Sequence, residues 1–252
     1  MRENINAGRG IDPCLLEIMK IQTVSRNQTE MANYILKRLA KIESVDFECD
    51  MHGNIIATKG VSGDYICLCC HQDTVHPIRA DYQIRHDKHI GELYAVSGGT
   101  QVGIGGDDKC GVYAILNIIE NCEKPVKVVF FADEEIGCIG SNNIDIEIFD
   151  DVSLLIGIDR RGDSDLITEY HGDTISQEYR NFIIPISKKY GYAETHGLTT
   201  DVFTIQKRIG WGISAINVSC GFFNPHTDQE YIKISALYNC IDFVKRIIET
   251  RI

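Results

Sequence analysis

Apolar positions along the chain switch between helical three-to-four spacing and unbroken runs, which predicts helices alternating with buried strands. Asp12-Pro13 supplies a cap and a first-turn proline, and Leu15, Leu16, Ile18 and Met19 give the turns that follow an apolar side. A second helix is expected after Asn27, burying Met31, Tyr34, Ile35 and Leu39. Val45 to Cys49 and Ile55 to Thr58 flank His52-Gly53-Asn54 as a hairpin. The run Tyr65 to Cys70 predicts a strand ending at His71, after which the chain reads as loop-rich up to Asp107. Gly111 to Ile119 has a helical pattern, and strands are expected at Val126 to Ala132 and at Ser153 to Ile158, the latter ending in Asp159. A helix from Thr174 to Tyr190, which Pro185 should kink or end early, precedes a short helix near Thr200. A strand at Gly212 to Ser219 and a helix from Ser235 to Ile248 complete the pattern. There is neither a low-complexity linker nor an internal repeat. The expected fold is α/β, three layers (α/β/α) around a central mixed, mostly parallel sheet, formed by residues 1–252 as one domain.

Composition narrows the function classes. A formal charge of −11, from 36 acids against 25 Lys and Arg, speaks against a nucleic-acid partner, which needs clustered cations. The first ten residues hold no apolar targeting core and no later segment approaches the apolar length of a membrane span, so a soluble, cytoplasmic protein is expected. Ten cysteines in a chain of this length read as buried thiols rather than a disulfide framework. Cys67 and Cys70 form a C-x-x-C inside an apolar strand, with no second such pair to complete a tetrahedral metal site.

The chemistry concentrates at strand ends. Asp133, Glu134 and Glu135 follow the run Val126 to Phe131, His71-Gln72-Asp73 follows another, and Asp107-Asp108 closes a glycine-rich stretch. Carboxylates this close resist joint ionisation unless a multivalent cation compensates them. In α/β sheets ligands collect beyond the carboxyl ends of the strands, where His71, Glu134, Glu135 and Asp159 all fall. His226, in Asn224-Pro225-His226-Thr227, can join them. Two histidines with several carboxylates suit Zn²⁺, with Co²⁺ or Mn²⁺ as alternatives. Asp108 suits a helix cap before Lys109, and Gly103-Ile104-Gly105-Gly106 suits a turn rather than a phosphate loop. His171, His196 and Asp201 are candidates for a pocket wall, with surface or turn roles as the alternative.

Five segments carry a family resemblance: His71-Gln72-Asp73-Thr74-Val75, Gly106 to Gly111, Asp133 to Gly137, Ile158-Asp159 and Asn224 to Thr227. In this order they resemble the motifs of the co-catalytic dizinc exopeptidases, the group that includes peptidase T and related aminopeptidases, carboxypeptidases and aminoacylases. The resemblance implies two Zn²⁺ per chain, with His71 and Asp159 on one ion, Glu135 and His226 on the other, and Asp107 bridging. It also implies Glu134 as general base and Asp73 as the residue that orients His71. Peptidase T relatives carry a lid domain after the residue corresponding to Asp159, and the segment from there to His226 is too short to hold one. The expected activity is hydrolysis of short peptides by an aminopeptidase. The alternatives are a carboxypeptidase or an amidohydrolase of N-acyl amino acids on the same site, and, from another class, a catalytically silent binding subunit. A homo-oligomer is compatible with all of them.

Overall fold

A computed structural model describes residues 10–250. The first half of the chain forms α1 (Pro13–Lys20), α2 (Thr29–Leu39), β1 (Val45–Cys49), β2 (Ile55–Lys59), β3 (Tyr65–His71), β4 (Gln83–Asp87), β5 (Glu92–Ser97), β6 (Thr100–Val102) and α3 (Gly106–Asn121). The second half forms β7 (Val126–Phe131), α4 (Ile139–Asn143), β8 (Val152–Arg160), β9 (Asp165–Glu169), α5 (Gln177–Lys189), β10 (Ala193–His196), α6 (Asp201–Arg208), β11 (Ser214–Ser219), β12 (Phe222–Phe223), β13 (Tyr231–Lys233) and α7 (Ile234–Thr250).

Eight strands make the main sheet in the order β1-β2-β7-β3-β8-β11-β9-β10. Its centre, β7-β3-β8-β11, is parallel throughout, while β1-β2, β2-β7 and β11-β9 pair antiparallel. The fold is thus mixed α/β with a large, mostly parallel sheet and flanking helices. Side-chain alternation along the central strands explains the two covered faces. Ile66, Leu68 and Cys70 of β3 point with Val128 and Phe130 of β7 into the core shared with α1, α2, α3, α5 and α7. Cys67 and Cys69 point with Val129 and Phe131 to the other face, onto Val202, Phe203 and Ile205 of α6. The two cysteines of the C-x-x-C therefore lie on opposite faces, and all ten cysteines are free thiols.

The stretch read as loop-rich is instead built of strands. β4, β5 and β6 join β12 and β13 in a smaller antiparallel sheet, ordered β12-β13-β5-β4 with β6 on β5. Such a sheet is solvated on one face, so β4 alternates exposed and half-buried positions over Gln83-Ile84-Arg85-His86, while β6, β12 and β13 are only two or three residues long and too short to show a pattern. Its inward residues Leu93, Ala95, Val102 and Ile232 join the larger core. β9 and β10 also escaped the pattern because they are short, with β10 at the edge of the main sheet and β9 next to it. Pro185 neither ends nor shortens α5, which runs on to Lys189. The carbonyl that a proline leaves without its helical donor belongs to exposed Asn181, where water can serve it. No helix among the described residues is long and apolar enough to cross a membrane.

Candidate metal centre

The parallel strands deliver three of the expected ligands to one end of the sheet, and the start of α3 brings a fourth. His71 is the last residue of β3, Asp159 lies near the end of β8, Glu135 follows β7, and Asp107 opens α3. Asp107 sits at the centre: its Oδ1 is 3.2 Å from His71 Nε2 and its Oδ2 is 3.4 Å from His226 Nε2. On the first side, His71 Nε2 lies 3.6 Å from Asp159 Oδ1. On the second, His226 Nε2 lies 3.1 Å from Glu135 Oε2. The donor atoms of His71, Asp107 and Glu135 are all within 4.8 Å of one another. His71 is 1 % exposed whereas His226 is 51 % exposed, so the centre is closed on one side and open on the other.

The acid run after β7 divides its labour. Asp133 turns away and its Oδ1 accepts the Arg26 N–H at 2.6 Å. Glu135 faces His226, while Glu134 is in ion-pair range of neither imidazole among the described residues and takes the Cys138 thiol at 3.4 Å on Oε1. Asp133 and His226 adopt φ of +57° and +63°, a conformation costing non-glycine residues about 1–3 kcal/mol each and often found at functional sites. Asp73 does more than its spacing indicated. Its Oδ1 lies 3.5 Å from His71 Nδ1, which also meets the Asp73 carbonyl oxygen at 3.0 Å. The same carboxylate accepts the Glu134 and Glu135 N–H groups at 3.0 and 3.3 Å and the Ser25 hydroxyl at 2.7 Å. One side chain thus holds both His71 and the backbone of the acid pair.

Asp108 behaves as a cap. Its Oδ1 accepts the Gly111 N–H at 2.9 Å and its Oδ2 the His71 N–H at 3.2 Å, so both oxygens are occupied by backbone although they lie near the His71–Asp159 pair. Asp159 is anchored by residues that carried no motif signal: Thr200 Oγ1 donates to Oδ2 at 2.7 Å, and Asn217 exchanges hydrogen bonds with its backbone. Asp201 is buried rather than on a pocket wall, with Oδ1 accepting from Ser141 at 2.5 Å. His171 and His196 line an open cleft with Tyr170 and Leu198, beyond the ligand cluster.

Burial sets the protonation of this cluster. It pushes the Glu134 carboxyl up to about 7, where Asp159 and Asp107 add to the rise against the opposing pull of His71. Glu135 rises to about 8 for the same leading reason, because its desolvation outweighs the attraction of His71 and His226. Burial alone would lower His71, but Asp107, Asp159 and Asp73 together raise it. His226 is raised to about 9, first by its contact with Asp107. Asp107 is held below the ordinary carboxylate range because the two imidazoles overcome its burial. Every ion pair that described residues make to Asp107, Glu135 or Asp159 has a histidine as partner, so no lysine or arginine compensates the cluster.

Comparison with solved structures places this arrangement in a known fold. An aminopeptidase PepT from Bacillus cereus superposes with a TM-score of 0.77 at 14% identity, covering 93% of this chain and 96% of that one. The shared property is the fold. A tripeptidase from Staphylococcus aureus gives 0.76 at 14% identity, with 93% and 96% covered. The Pyrococcus horikoshii TET1 peptidase, described as assembling into a tetrahedron or a large octahedral shell, gives 0.64 at 15% identity, with 92% and 97% covered. Comparison with family models and with curated proteins returns no match.

Proposed function

We propose that the chain is a dizinc metallo-exopeptidase acting as an aminopeptidase on short peptides. The observation that carries this reading is the Asp107 carboxylate, whose two oxygens face different histidines at 3.2 and 3.4 Å. The donor set fits the metal. Two ligands about 2.0–2.1 Å from a tetrahedral Zn²⁺ are about 3.3 Å apart, and the histidine–carboxylate separations here run from 3.1 to 3.6 Å. Burial, with neighbouring acids adding to it, raises Glu134 and Glu135, and two dications would favour their ionised forms. His71 and Asp159 would hold one ion, Glu135 and His226 the other, and Asp107 would bridge. Co²⁺ or Mn²⁺ is compatible with the same ligands. Bound dications polarise the scissile carbonyl and acidify the attacking water.

The remaining steps belong to side chains. Glu134, free of the imidazoles, takes a proton from water as its oxygen bonds to the carbonyl carbon. When the C–N bond breaks, the same carboxyl returns that proton to the leaving amine. Asp73 fixes the tautomer of His71 through Nδ1, leaving Nε2 for the metal. The open His226 side admits the peptide, and the carboxylates attract a free N-terminal ammonium. Structural relatives described as an aminopeptidase and a tripeptidase support this class, and the TET1 assemblies support a homo-oligomer as a form to test. A short segment between Asp159 and His226, woven into the main sheet as β9, α5, β10, α6 and β11, supports a single catalytic domain without a lid.

Substrate polarity tests the aminopeptidase reading. C-terminally amidated peptides should be cleaved and N-acetylated peptides spared. The reverse preference would move the assignment to a carboxypeptidase or to an amidohydrolase of N-acyl amino acids.

A further inference from the structure

Glu230 lies outside the ligand set and is fully buried, at 0 % relative exposure, and it forms no ion pair with a lysine or arginine among the described residues. Its charge is met by three donors. Oε2 accepts the Gly105 N–H at 2.6 Å and lies 2.8 Å from His76 Nε2, while Oε1 accepts the Asp107 N–H at 3.0 Å. A carboxylate offers acceptors only, so the His76 tautomer that satisfies this contact carries its proton on Nε2. The loop is shaped for the contact. A Cβ on Gly103 would sit 1.9 Å from His76 Cε1, and Gly105 holds a φ of +68° that turns its N–H toward the carboxylate. Glu230 itself belongs to the loop of His226, so it ties the backbone of one expected ligand to the segment bearing another.

We propose that Glu230, seated by His76, is the positioning residue for Asp107, setting the direction of the bridging carboxylate through the two amides that flank its turn. The inference rests on the dinuclear reading and deepens it. Because Asp107 serves both metal positions, a change at Glu230 should weaken both rather than one. Glu230→Gln is nearly isosteric but presents an NH₂ to a backbone N–H or to His76, leaving two donors opposed. Outer contacts to metal ligands are worth about 10–100-fold in metal affinity.

The test is titration of the metal-free protein with Zn²⁺ and, separately, with Co²⁺ read by its visible absorption. The wild type should bind two ions. Glu230→Gln should keep its circular dichroism and a cooperative metal-free melt, at a somewhat lower temperature because of the opposed donors, yet bind both ions about 10–100-fold more weakly with an altered Co²⁺ spectrum. If Glu230→Gln fails to fold, Gly103→Ala, which displaces the His76 ring, supplies the same readout and should lose affinity in the same direction by a smaller factor. A folded variant with wild-type affinity and an unchanged Co²⁺ spectrum overturns the role of Glu230, whatever its turnover. A wild type that binds fewer than two ions overturns the dinuclear reading instead, so the two failures are told apart.

Discussion

At the scale of single residues, the acid pair after β7 separates two jobs that adjacent glutamates could exchange. Glu135 meets His226 at 3.1 Å, whereas the Glu134 carboxyl takes the Cys138 thiol and, among the described residues, no imidazole. Glu134→Gln should therefore lower kcat by about 10²–10⁴-fold while both metals and the melting temperature are retained. Glu135→Gln should weaken the metal site instead, as read by titration. If Glu134→Gln turns over normally, or sheds metal as readily as Glu135→Gln, base and ligand are exchanged in this account. His71, Glu134, Glu135 and Asp159 stood out in the sequence because they fall at the ends of apolar strands, and Asp107 and His226 because they sit in turn motifs, Gly106 to Gly111 and Asn224 to Thr227. Thr200, Asn217, His76 and Glu230 were not visible as partners, since each acts on a residue distant in sequence that only the fold brings near. The one available signal was Glu230, four positions after His226 in the same loop.

The same residues set a pH dependence for the metal-free protein. Glu134 at about 7, Glu135 at about 8 and His226 at about 9 all lie above their ordinary values of 4.5, 4.5 and 6.5. A group raised in the fold stabilises it fully below its unfolded pKa and loses that contribution as pH climbs through the folded one. Metal-free protein should thus melt progressively lower between about pH 5 and pH 9. Zinc needs deprotonated ligands, so its stabilising increment should grow over the same interval. Melting curves with chelator and with Zn²⁺ at several pH values check both slopes. A metal-free melting temperature that rises across this range would contradict the placement of uncompensated charge in the cluster.

At the scale of elements, the expected helices and central strands follow from periodicity strong enough to survive tertiary context. α1 starts where Asp12-Pro13 indicated, and Asp12 serves two partners, accepting the Cys14 N–H at 2.9 Å and the Tyr113 hydroxyl at 3.0 Å. Asp12→Ala should cost about 0.5–2 kcal/mol, measurable by urea denaturation, because the cap and the tie to α3 are lost together. Ile115 of α3 is fully buried in the larger core, and Ile115→Ala should cost about 2–5 kcal/mol by the same measurement. An unchanged urea midpoint in either variant would contradict the packing described. What periodicity did not expose was the smaller sheet. Three of its strands are two or three residues long, β4 alternates exposed and half-buried positions, and the pairing of β13 with β5 that joins its two parts spans a long sequence separation.

At the scale of the whole molecule, the proposed function depends on two sheets meeting at one place. The main sheet ends in His71, Glu135 and Asp159, while the turns linked to the smaller sheet present Asp107 and His226. The charge of −11 is consistent with a centre that needs cations, and the metals would neutralise part of it. Asp107 stands where the two sets of ligands meet, so it decides whether they form one dinuclear centre or two unrelated clusters. The most direct measurement is elemental analysis of protein reconstituted with Zn²⁺, for the wild type and for Asp107→Asn. Two ions per chain in the wild type, with both lost or greatly weakened in Asp107→Asn, is the expected result. A folded wild type that binds no more than one ion at saturating Zn²⁺, or an Asp107→Asn variant that keeps two, would contradict it.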